Sequence, residues 1–232
     1  MTIQDMHYDL KKKLNKVDSQ QYRNLLIPEI DWALNEAMEI FVKIVAQPRY
    51  KTQMGFETTQ RTIDDIRTIV VHEETVNVNN NIVILPADYW HFLNATAIMT
   101  KGVCTSTGRI IIRQHDDNFE SSPFDKSSFE WKTINCVFTE DGMRLYTDGT
   151  FNISSIFLSY IRRPVYMHYA QGFNAGTYTL PSGVVLSGSA NCELPDHTHR
   201  EIVDIAVLIL SGELQTKDLQ VKQMKLNFNQ LN

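Results

Sequence analysis

The sequence predicts an α+β fold in which N- and C-terminal helices form a helical bundle around a large antiparallel β-rich insertion, a barrel or a sandwich. Three observations carry this. Apolar residues recur at spacings of three and four near the N-terminus and again after Pro195. Between them, β-branched runs alternate with turn residues from about 69 to 194. The chain has 232 residues, 43% hydrophobic and 21% charged, enough to bury a core and unlike a disordered segment. The expected organisation is a helical domain of residues 1–68 and 195–232, with residues 69–194 as the β-rich insertion domain.

Taken in order, Ile3, Met6, Leu10, Leu14 and Val17 mark one face of a first helix. Asp18 and Ser19 offer a break and a new N-cap. Pro28 suits the first turn of a second helix, where its missing N–H costs nothing. Ile30, Leu34, Met38, Phe41 and Val45 form the main stripe of that helix. Trp32, Ala33, Ala37, Ile40 and Ile44 widen it beyond what a surface helix needs, so burial on more than one side is expected. The stretch "TQRTIDDIR" reads as a short helix leading out.

The β-rich part begins with "IVVHEETVNVNNNIVILP", two β-branched runs about an Asn turn at Asn79 to Asn81. "FLNATAIMTK" and "GRIIIRQ" read as further strands. Two Asp-Gly pairs, Asp141-Gly142 and Asp148-Gly149, predict hairpins, because type I′ turns need positive φ. Residues 171–189, glycine-bearing and poor in charge, read as a long irregular loop or a loose hairpin. After Pro195, Thr198 and Glu201 have capping-box spacing, with Asp196 as a second cap candidate and Gly212 as a C-cap. Between 202 and 210 only Asp204 is polar. A last segment, 217–228, carries Leu219, Met224, Leu226 and Phe228 on an otherwise polar tail, a frayed terminal helix or an arm that docks on a partner.

The formal net charge of −5 argues against a protein that grips nucleic acid by neutralising phosphates, though not against one that lines a passage for sliding DNA. Three scattered cysteines, Cys104, Cys136 and Cys192, make no disulfide framework and suit a reducing cytoplasm. No signal peptide is evident, and the apolar run 205–210 is far too short to span a bilayer. A soluble protein made in the host cytoplasm, with no membrane partner, is expected.

Candidate chemistry is sparse. Cys192, Asp196, His197 and His199 resemble a metal cluster in spacing only. On a helix, residues two apart point roughly 200° apart, so His197 and His199 are expected to diverge on a first turn. The carboxylate pairs Asp64-Asp65, Glu73-Glu74 and Asp116-Asp117 are adjacent, so their side chains diverge, and solvated surface is expected. Arg162 and Arg163 stand at a strand end as a surface pair, with a phosphate or an acidic neighbour as the alternative contact. The sequence lacks a phosphate loop, a G-x-S-x-G and an H-E-x-x-H. No catalytic residue, metal ligand or cofactor is therefore assigned. Trp90, Trp131, Tyr166, Tyr169, Phe173 and Tyr178 could stack on a sugar or a base, which sets up the alternative of a carbohydrate-binding tail or capsid decoration module.

The stretches "LNKVDSQQYRNLLIPEIDWALNEAMEIFV", "ILPADYWHFL", "LSYIRRPVYM" and "CELPDHTHREIVDIAVLILSG" together resemble a viral part. The chain is similar to head-to-tail connector (adaptor or ring) proteins of tailed bacteriophages with podovirus-like tails, in particular the ring proteins of crAss-like phages. None of these stretches is a chemically strict motif. The resemblance implies a structural virion protein at the head–tail interface, not an enzyme. It implies helices packed side by side in a homo-oligomeric ring, commonly of twelve subunits, beneath the portal protein. Other ring or tail proteins would be neighbours, and genomic DNA would pass without sequence-specific binding. Leu219, Met224, Leu226 and Phe228 are the candidate portal or ring contacts. The segment 171–189 matches no feature of that family.

Overall fold

The computed structural model describes residues 1–15, 25–46, 63–114, 124–170, 177–180 and 183–213. They form an α+β fold, with helices from the two ends of the chain and a closed seven-stranded barrel inserted between them. Two compact units result: Met1–Thr68 with Pro164–Asn232, and Ile69–Arg163.

In the first unit, α1 (Ile3–Asn15), α2 (Ile27–Ala46) and α3 (His199–Glu213) follow the apolar periodicity. Pro28 occupies the first turn of α2, and the Leu26 N–H donates to Glu29 Oε2 at 2.9 Å, which closes that helix end. Helix α3 packs against both α1 and α2, which make few close approaches to each other. Ile3, Met6, Leu10 and Leu14 of α1 are buried, as are Ile30, Leu34, Met38 and Phe41 of α2 and Ile202, Val203, Ala206 and Leu210 of α3. At roughly 1.5–3 kcal/mol for each fully buried large aliphatic side chain, this interior is the main support of the unit. Lys13 adds a tie from α1 to Asp204 of α3 at 2.8 Å. The chain thus covers the wide apolar surface of α2 itself: of the widening residues only Trp32 is exposed, while Ile40 and Ile44 are half-buried.

Residues 164–194, read from sequence as the end of the insertion, group with the helices. Their backbone is hydrogen-bonded to α2, which a hydropathy pattern does not reveal. Within this stretch β8 (Thr177–Thr179) and β9 (Val185–Ser187) form an antiparallel hairpin. Helix α3 is preceded by a 3-10 turn, Asp196–Thr198, in which the Thr198 hydroxyl donates to the Pro195 carbonyl at 2.9 Å. The helix also runs through Gly212 to Glu213, so that glycine is not where it stops.

The barrel strands are β1 (Val70–Asn79), β2 (Ile82–Val83), β3 (Tyr89–Lys101), β4 (Cys104–Ile112), β5 (Thr133–Thr139), β6 (Gly142–Tyr146) and β7 (Asn152–Arg162). Their order is β1-β2-β6-β5-β4-β3-β7, closing on β1. All pairs are antiparallel except β4–β5, which is parallel. Small residues on β3, Ala95 and Ala97, alternate inward with Met99 and leave room for Ile134, Met143, Leu145, Ile156, Leu158 and Tyr160. The parallel step needs a crossover, and buried Asn135 holds it. Its amide donates to the Asp125 carbonyl at 2.5 Å, its carbonyl oxygen accepts from Arg113 Nε at 3.0 Å, and its N–H donates to Ser127 Oγ at 2.9 Å. A bulge between Val71 and Glu74 puts Glu73 at φ 52°, and the Glu73 N–H donates to Ser159 Oγ.

The Asn turn forms as predicted, with Asn80 and Asn81 at φ 50° and 62° joining Asn79 to Ile82. The first Asp-Gly pair stands at the expected hairpin, β5–β6, though in a different register, and the second makes none. In the first, Glu140 and Asp141 make the turn, and Gly142 is already in β6, paired with Thr139, at φ 130°. The second joins β6 to β7, which are not sheet neighbours, so it makes no hairpin; Asp148 Oδ1 accepts from the Thr150 N–H at 2.8 Å to close a local turn. A Cβ added to Gly142 would lie 2.2 Å from the Val83 carbonyl oxygen. Gly142→Ala is therefore expected to lower stability by about 2 kcal/mol or more, combining backbone strain with a displaced strand. Gly149→Ala, at φ 78° with open space around it, should cost about 1 kcal/mol. Urea unfolding of both variants checks the ranking.

Candidate functional site

The cluster Cys192, Asp196, His197 and His199 is dispersed by the turn that opens α3. His197 Nε2 lies 2.7 Å from Asp65 Oδ1, on the segment before the barrel. His199 is buried and points the other way: its Nε2–H donates to the Leu194 carbonyl at 2.7 Å. Its Nδ1 then accepts from the Met1 ammonium at 3.0 Å, which fixes the tautomer. That ammonium also donates to Asp196 Oδ1 at 2.6 Å, a contact that holds the Asp196 carboxyl below the usual carboxylate range. Burial pushes the Cys192 thiol up to about 11, so at neutral pH it is a protonated thiol and a poor metal ligand. Among the described residues no group of three or more His, Cys, Asp and Glu side chains could hold a metal ion.

The most developed polar constellation in the helical unit lies on α2. Asp31, buried, accepts from His7 Nε2 of α1 at 2.6 Å and from the Tyr169 N–H at 3.0 Å. One turn on, Asn35 pairs with the backbone of Met167 as a strand would: Oδ1 accepts its N–H at 2.8 Å, and Nδ2 donates to its carbonyl at 2.7 Å. Asn35 Nδ2 also reaches the Asp31 carbonyl at 2.7 Å. The Tyr169 ring rests 5.2 Å from the His7 ring. His168, between the two captured residues, pairs its backbone with Ala190, which ties in the β8–β9 hairpin. This constellation works as a clamp: Asn35 and Asp31 Oδ2 hold the returning chain, and Asp31 Oδ1 ties in His7 of α1. Sequence reasoning missed it. The available signal was Asp31 and Asn35 four residues apart on the most apolar face of the helix.

In the barrel unit, the Tyr160 hydroxyl lies 2.6 Å from Glu74 Oε2 and 3.0 Å from Asp88 Oδ1. Burial and these two carboxylates raise the phenol far above its ordinary value. Glu74 therefore has a partner, as does Asp65, which is buried against His197 rather than solvated. Asp64 pairs with Arg67 at 2.9 Å on the surface, and Asp116-Asp117 lie outside the described residues. Arg162 ends β7, and the Arg163 N–H donates to the Asp88 carbonyl at 2.8 Å.

The aromatic residues considered for ligand stacking do not assemble into one platform. Trp90 is half-buried and stacked on His91 at 4.7 Å, and Tyr166 and Tyr169 are half-buried in the helical unit. Trp131 stands 81% exposed beside the β4–β5 crossover. Phe173 and the side chain of Tyr178 lie outside the described residues. So do Leu219, Met224, Leu226 and Phe228, the candidate portal contacts.

The surface also carries single large apolar side chains. Val103, at the β3–β4 turn, and Phe124, in the β4–β5 crossover, are 101% and 97% exposed. On the helices Tyr8 is 71% and Trp32 54% exposed, and Leu26 is exposed as well. No family model matches the chain, and no curated protein matches it significantly.

Removal of Asp31 tests the clamp. Asp31→Ala strips partners from His7 and from the Tyr169 N–H, and a buried group left unpaired typically costs 1–3 kcal/mol. A loss of about 3 kcal/mol is expected, with a similar loss for Asn35→Leu. Chemical denaturation measures both, and losses under 1 kcal/mol would show the clamp to be dispensable.

Proposed function

We propose that this chain is a structural virion protein, a head-to-tail adaptor or ring subunit that joins portal to tail and lines or surrounds the DNA channel. The observation that supports this best is the outward display of large apolar side chains on both units: Tyr8, Leu26 and Trp32 on the helices, Val103, Phe124 and Trp131 on the barrel. Large apolar and aromatic side chains are enriched where a surface meets other proteins, and these are the ones such a contact would cover. The polar clusters fit the same reading, because their hydrogen bonds are directed at the chain's own backbone and side chains. A formal net charge of −5 suits a wall along which DNA moves without binding. The resemblance to ring proteins of crAss-like phages supplies the specific partners: further copies of the chain, the portal protein, and other ring or tail proteins.

The test is assembly. Purified protein mixed with portal rings should decorate them as a ring, seen as a discrete mass increment and by electron microscopy. Deleting 217–232, the tail with Leu219, Met224, Leu226 and Phe228, should weaken attachment at least tenfold; full occupancy by the truncated protein would remove the tail from the interface. The exposed indole of Trp131 favours one second reading, a carbohydrate-binding tail or capsid decoration module. That reading requires sugar-dependent quenching of Trp131 or Trp90 fluorescence, whereas the adaptor reading expects none.

A further inference from the structure

We draw no further inference here: the strongest candidate, the Glu74–Tyr160–Asp88 cluster where β1, β7 and the β2–β3 loop meet, sets two exposed carboxylates about one phenol hydroxyl, and no second observation there points to a ligand.

Discussion

The capture of residues 167–169 by Asp31 and Asn35 is the constraint on which the helical unit depends. The chain leaves this unit at Thr68, builds a barrel of its own, and re-enters at Pro164. On re-entry its backbone has no long strand or helix to satisfy it, and buried amides without partners are costly. Asn35 answers with a two-bond pairing that imitates a neighbouring strand, while Asp31 gathers the next available N–H and a histidine from α1. These bonds set where the chain stands as it approaches α3. Helix α3 then begins where His199 and Asp196 can meet the Met1 amino group. Polar contacts thus tie Met1, beside α1, to the start of α3.

That arrangement explains which parts of the fold could be read from sequence. The helices were legible because periodicity is local: Ile30, Leu34, Met38 and Phe41 announce one face without reference to anything distant. The Asn80–Asn81 turn was legible for the same reason. Closure of the barrel was not, since pairing β1 to β7 joins Val70 to Ile161, and no local pattern distinguishes that from a sandwich. Of the two Asp-Gly pairs the first signalled a hairpin that forms, and the second misled because an aspartate before a glycine fits several turns. Asp148 closes a crossing between strands that never pair, and Gly142 is required by the nearness of Val83 rather than by the turn itself.

The polar chemistry was legible only in part. Divergence of His197 and His199 followed from helical geometry, but their partners did not: Asp65 lies far along the chain from His197. Asp31 was hidden by its surroundings, because a lone acid in an apolar stripe looks like an edge residue until the donors that reach it are counted. The same holds for Asn135, one polar residue in the apolar run of β5, which fastens the crossover between two parallel strands. In each case the informative residue is the one that breaks the pattern by which its element is recognised.

Closure of the barrel also bears on how such a chain behaves when crowded. A sheet that returns on itself has fewer unpaired N–H and C=O groups than an open one, so it offers less edge for backbone pairing with further chains. Closure is thin at two seams, since β2 joins β1 only at Val78 and Asn79 and β5 joins β4 only from Arg109 to Ile112. Contacts made through side chains differ from backbone pairing in kind, because a single substitution can forbid a wrong neighbour. Backbone pairing is nearly blind to sequence and invites fibrils; side-chain recognition is discriminating and reversible, which lets misjoined copies separate and try again.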